Sequence, residues 1–216
     1  MKKLTLILIV LFMASQHEGF SQAAAAKPAA ETLVLIKTSY GNITLKLYND
    51  TPGHRDNFIK NIKAGWYNNS PFHRIIPQFM IQGGGNADGR ADIGYTIPAE
   101  IKPNHLHKKG ALAAARTGDN VNPEKKSSGC QFYIVQGKVF TDAELTSIET
   151  KNNIKFTPEQ RKAYTTVGGA PWLDGGYSVF GEVVSGFDVV DKIAAVACDA
   201  NNKPLKPVTM TIEIVE

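Results

Sequence analysis

Hydrophobic and polar residues alternate along much of the chain with a two-residue period, which marks strands with one buried face. The clearest case is "ITLKLY" at 43–48, with Ile43, Leu45 and Leu47 on one side and Thr44, Lys46 and Tyr48 on the other. "TLVLIKT" precedes it and "SYGN" (39–42) is a turn signal, so the pair is expected as a hairpin. "FHRIIPQFMIQGGG" (72–85) is expected as one strand stopped by the glycines at 83 to 85. "GYTIPAE", "GALAAA" (110–115), "CQFYIVQG" (130–137), "YSVFGEVV" and "VTMTIEIV" read as further strands.

Elsewhere the spacing becomes helical. Thr51 can cap a helix with Pro52 at its first position, Phe58, Ile59 and Ile62 on one face and Gly65 at its end. Phe187, Val190 and Ile193 mark a second packing helix. Residues 138–168 carry two capping boxes, Thr141 with Glu144 and Thr157 with Gln160, and read as a two-helix insertion. The expected fold is mainly β: a closed antiparallel barrel of seven or eight strands with two packing helices, because closure removes exposed strand edges.

The N-terminus stands apart from this pattern. Lys2 and Lys3 precede an apolar run, Leu4–Ala14, and then "SQHEGFSQAAAA". This is the layout of a secretory signal peptide, too short for a membrane span. Residues 1–22 are therefore expected as a signal, 23–31 as a flexible tether and 32–216 as the folded domain. The expected location is outside the cytoplasm, in the periplasm or secreted.

Charge and composition narrow the function by exclusion. The formal net charge of +4 is scattered and leaves no footprint for nucleic acid. The two cysteines, Cys130 and Cys198, can pair in an oxidising compartment or stay as free thiols. His105 and His107 lack a third metal ligand nearby, and "GGGNADG" lacks the spacing of a dinucleotide-binding loop. There is no nucleophile elbow and no obvious acid–base pair for hydrolysis.

What remains is a fixed cation, Arg74, inside an apolar stretch. Strand alternation can bring Phe79, Met80, Tyr133, Trp172 and Leu173 into a shallow pocket edged by Arg74, Gln82 and Gln131. Such a pocket suits a compact ring beside an amide, as in proline. The same aromatics can equally be core residues, and periodicity alone does not separate the two readings.

Three motifs do. "FHRIIPQFMIQGG", "SSGCQFYIV" and "WLDGGYSVFGEVVSGFDVVDKI" resemble the cyclophilins, the peptidyl-prolyl cis–trans isomerases, and "LAAARTGD" is similar to their bacterial branch. The resemblance covers most of residues 32–216. It implies an eight-stranded closed barrel capped by two α-helices, interrupted here by the insertion, with the active site in a groove on the barrel's outside. Carried over residue by residue, it implies that Arg74 is catalytic. It gives Phe79, Met80, Tyr133 and Leu173 the proline pocket, and Gln82, Gln131 and Arg116 contacts to the peptide backbone. Trp172 and Tyr177 border the pocket, and His73 supports it. No cofactor or metal is implied. The implied partners are proline-containing peptides, unfolded or partly folded exported proteins, and cyclosporin-like ligands. Gln78 stands where many members have glycine, Cys130 where they have serine, and Tyr133 where phenylalanine is more common. The hydroxyl of Tyr133 therefore needs a partner or water. The same groove used only to hold proline segments, as an adaptor or chaperone, is the alternative function.

Overall fold

The computed structural model describes residues 30–89 and 92–215. The expected signal peptide and nearly all of the tether lie outside the described residues. Among the described residues, no helix is long and apolar enough to cross a membrane.

The first hairpin forms as its alternation dictates. Strands β1 (Leu33–Thr38) and β2 (Gly41–Leu47) pair antiparallel, with Val34 opposite Leu45 and Ile36 opposite Ile43. These four side chains are fully buried on the inner face. Helix α1 (Pro52–Lys63) follows, and it corrects one expectation. Thr51 precedes the helix but its hydroxyl makes no cap; it donates to the Tyr48 carbonyl oxygen at 3.4 Å. Glu100 satisfies the helix start instead, accepting from the Gly53 and His54 amides at 3.0 and 2.8 Å. A carboxylate there also complements the helix dipole.

The apolar stretch from Phe72 is two strands rather than one. After the short β3 (Ser70–Pro71), β4 (Arg74–Ile76) turns back on itself into β5 (Met80–Gly83). The turn passes through Pro77 and Gln78, whose φ of 60° is left-handed. That conformation favours glycine, and a glutamine adopts it here. The remaining strands are β6 (Thr96–Ile97), β7 (Ala111–Ala114), β8 (Ser127–Ser128), β9 (Phe132–Val135), β10 (Val179–Ser185) and β11 (Thr209–Val215).

The main sheet runs β3-β11-β1-β2-β10-β7-β9-β5-β4, while β6 and β8 pair apart from it. It has nine strands where eight were expected, and no continuous ladder closes it. Its first and last strands are neighbouring pieces of one segment, 70–76. That segment bonds β11 on one side and β5 on the other, and the Phe72 and His73 amides continue this to Val208 and Gln82. Counted as one split stave, the segment restores eight and brings the curled sheet's two ends together.

Packing follows from the two faces of this sheet. The inner face gathers Leu112, Phe132, Ile134, Phe180 and Ile212 with the first hairpin. Phe58 of α1 plugs this core, edge-on to Phe132 and Phe180 with ring centroids 5.3 and 5.5 Å apart. Helix α4 (Phe187–Ala194) adds Val189, Val190 and Ile193. The outward residues of β5, β7 and β9 form a second cluster with Leu173 and Val179.

The insertion contains α2 (Asp142–Asn152) and α3 (Pro158–Thr166), each with the reciprocal capping box its sequence announced. Phe140, Leu145, Phe156 and Tyr164 make its small core. Its two ends meet where Gly169 bridges to Lys138 and Lys108.

Candidate active site

Strand register assembles the site. Arg74 on β4 lies opposite Gln82 on β5, Gln82 opposite Tyr133 on β9, and Tyr133 opposite Ala113 on β7. Directly opposed residues in a sheet share a face. One rung across four strands therefore carries a cation, an amide, an aromatic ring and a residue with almost no side chain. Beside this rung lies a hollow, where Ala115, just beyond β7, contributes only a methyl group. Arg74, Phe79, Met80, Gln82, Tyr133 and Leu173 line it, with Ala115, Arg116 and Tyr177. Its volume is about 140 Å³, well under the roughly 300–1,000 Å³ of sites for drug-sized molecules and suited to one compact side chain.

The polar rim is wired in sequence. Arg74 Nη1 donates to Gln82 Oε1 at 3.2 Å, Gln82 Nε2 to Gln131 Oε1 at 3.3 Å, and Gln131 Nε2 to Asp92 Oδ2 at 2.9 Å. Arg74 itself is exposed, and its bond to Gln82 goes to a neutral oxygen, so that contact does not cancel the charge. Gln82, Ala115 and Arg116 also border a second cavity of about 480 Å³, lined further by Asp92, Tyr95, Lys126 and Gln131. A pocket for one ring thus opens beside a larger polar groove.

The remaining expected residues fall in different places. Arg116 is committed to the wall. Its Nε donates to the Gly176 carbonyl at 2.7 Å, its Nη1 meets Asp119 at 2.6 Å, and its guanidinium lies 4.5 Å over the Tyr177 ring. Trp172 is exposed and does not line the small pocket, but its ring sits 5.4 Å from Phe79 and 6.2 Å from Phe140 of the insertion. His73 points the other way from Arg74, as strand alternation requires, into a different cavity with Pro71, Asp88 and Pro204. Its buried Nδ1 has no hydrogen-bond partner, and burial followed by the Arg74 charge pushes its pKa down.

Sequence reasoning missed the partner of Tyr133. Its hydroxyl lies 3.1 Å from His107 Nε2. The signal was half present: a buried phenol needs a partner, but nothing in the spacing names a histidine 26 positions away. Burial raises the Tyr133 pKa well above its ordinary value, so the phenol stays protonated.

Fold and site together define a barrel protein with a proline-sized pocket and a fixed hydrogen-bond donor on its outer face. The profile of the family described as cyclophilin type peptidyl-prolyl cis-trans isomerase matches residues 33–214. A Staphylococcus saprophyticus protein named as a peptidyl-prolyl cis-trans isomerase is 34% identical over 193 residues, covering 86% of this chain and 93% of its own. A Streptococcus pyogenes protein named as a bifunctional phosphatase and peptidyl-prolyl cis-trans isomerase is 37% identical over 191 residues, covering 85% of this chain but 38% of its own. A crystal structure of a Cryptosporidium parvum cyclophilin superposes with a TM-score of 0.65 at 24% identity, covering 86% of this chain and 98% of that one. Another of the same protein, obtained in the presence of the dipeptide Ala-Pro, gives 0.64. The chain belongs to the cyclophilin-type peptidyl-prolyl cis–trans isomerases, and its reaction is rotation about the X–Pro peptide bond.

Proposed function

We propose that the small pocket holds the substrate's proline ring while Arg74 donates a hydrogen bond to the imide nitrogen as the bond twists. The barrier comes from amide resonance, roughly 18–20 kcal/mol. In the planar ground state the nitrogen lone pair is delocalised and accepts poorly. In the twisted state it is localised and accepts well. A donor at that position binds the transition state better than the ground state, which is what lowers a barrier. A charge-assisted bond in a partly desolvated groove supplies on the order of 2–4 kcal/mol. Arginine suits the role because the task is donation without proton transfer, and its charge is permanent.

The observation that carries this reading is the rung Arg74–Gln82–Tyr133–Ala113, which puts the cation on the same face as the hollow. The neighbour obtained with Ala-Pro is consistent with a ligand of that size. The test is a titration with Ala-Pro followed by NMR. Shifts concentrated on Met80, Tyr133 and Leu173 are expected; shifts centred on the cavity beside His73 would overturn the assignment.

We infer further that the substrates are unfolded or partly folded exported proteins whose folding waits on slow proline steps. The support is the charged, then apolar, then small-residue order of the first 26 residues. The mass of the chain recovered from fractionated cells tests it. A product cleaved after Gln22 or within the alanine run, outside the cytoplasm, is expected; an intact chain in the cytoplasm contradicts it.

A further inference from the structure

We propose that the helical insertion positions Tyr133 in the pocket wall through a buried chain of hydrogen bonds, so that Tyr164, Asp174 and His107 are positioning residues for proline recognition. The proposal rests on the pocket assignment above.

The chain is continuous in space and discontinuous in sequence. Tyr164, on α3 of the insertion, donates its hydroxyl to Asp174 Oδ2 at 2.6 Å. Asp174 Oδ1 accepts from the His107 amide and from His107 Nδ1, both at 2.9 Å. His107 Nε2 meets the Tyr133 hydroxyl at 3.1 Å. Tyr164 and His107 are fully buried, and Tyr133 is nearly so.

The direction of every proton follows from chemistry. A carboxylate only accepts, so Nδ1 of His107 carries its ring proton. With that as the ring's one proton, Nε2 is an acceptor and the Tyr133 hydroxyl donates to it. Burial raises the pKa of both phenols, and for Tyr164 the nearby Asp174 adds to this, so both remain donors. In that arrangement every donor of the chain meets an acceptor, and Asp174 Oδ1 accepts twice.

The arrangement does more than hold the insertion down. The Tyr164–Asp174 bond alone would do that. Two further links continue inward and end on a ring that lines the proline hollow. Phenylalanine at position 133 would line the hollow with no partner to satisfy. A tyrosine there carries a buried hydroxyl that is costly unless bonded, and its partner reaches back to the insertion. The ring is also fixed from a second side: Tyr177 stands edge-on to both Tyr133 and His107, at 6.0 and 6.3 Å.

The test is a double-mutant cycle on catalysed X–Pro exchange, using the full chain with Tyr164→Phe, Tyr133→Phe and both together. Misplacement of a binding group by a fraction of an ångström lowers kcat/KM, and we expect about three- to ten-fold for Tyr164→Phe, mainly as a higher KM. In the Tyr133→Phe background the same change should cost less than about two-fold, because no hydroxyl remains to be positioned. His107→Leu, which leaves the Tyr133 hydroxyl without its acceptor, should behave the same way and serves if Tyr164→Phe fails to fold. Equal losses in both backgrounds, or a lower melting temperature with KM unchanged, overturn the proposal. A wild-type chain that speeds no exchange overturns the isomerase reading instead. The same cycle is then read from Ala-Pro affinity, where non-additive losses support positioning and additive ones overturn it.

Discussion

Arg74 and Gln82 face each other across two adjacent strands, and the guanidinium Nη1 lies 3.2 Å from the amide oxygen. Gln82 thus orients the cation without neutralising it. Gln82→Glu tests the distinction, since it keeps the shape and supplies a carboxylate. An ion pair would hold Arg74 away from the substrate nitrogen and weaken it as a donor. Catalysed exchange should fall about ten-fold, equivalent to about 1.4 kcal/mol, with the melting temperature held. Unchanged kcat/KM would mean that Arg74 is free of Gln82 during the reaction.

Acid should destabilise the fold in two stages. Burial pushes the His54 pKa down against the upward pull of Glu100, and burial with the Arg74 charge does the same to His73. A histidine near 6.5 when unfolded takes up a proton that the folded chain refuses, so stability falls as pH drops below about 6.5. Glu100 adds a second loss at lower pH. Burial raises its pKa, but the bonds from His54 and the Gly53 amide outweigh this and leave it lowered. Its stabilisation is present above its unfolded pKa and disappears as pH falls through its folded value. Urea midpoints from pH 8 to 3 should be level above pH 7 and decline in both ranges, with His54→Gln flattening the first. A midpoint that rises on acidification contradicts this.

Gly84 follows β5 in a left-handed conformation, φ 99°, against the backbone of Cys130 and Gln131. A Cβ there would stand 2.3 Å from the Cys130 carbonyl oxygen and 2.9 Å from Gln131 Cα. Gly84→Ala should therefore cost about 1–3 kcal/mol of stability through overpacking and backbone strain. It should also lower exchange activity by displacing Gln131, the partner of Gln82. Thermal melts and exchange rates on the same samples check both, and a variant with wild-type values of each contradicts the account.

The legible parts of this fold were those fixed by local pattern. The alternation of Ile43, Leu45 and Leu47 settles which face of the hairpin is buried, and the spacing of Thr141–Glu144 and Thr157–Gln160 settles where two helices start. Features made by distant partners were not legible. Thr51 has the right chemistry for a cap, yet Glu100, 47 positions beyond Gly53, takes that role. The stretch from Phe72 to Gly85 is mostly apolar on both sides of Pro77 and Gln78, which hides the turn there and makes a hairpin look like one strand. The pocket set came through the family motifs, and the cross-strand register then explained it. The link from Tyr133 to the insertion needs four residues from four separate segments, and no single window of sequence contains it.

The proposed catalytic step is donation from Arg74 to the nitrogen of the twisted bond. The most direct measurement is X–Pro exchange in a short proline peptide by NMR, with the wild type and with folded Arg74→Ala, alongside the affinity of each for the same peptide. The variant should lose at least about ten-fold in catalysed exchange, or about 1.4 kcal/mol, while its affinity changes far less. Equal proportional losses in rate and affinity, or a variant as fast as the wild type, would contradict a donor that works in the transition state.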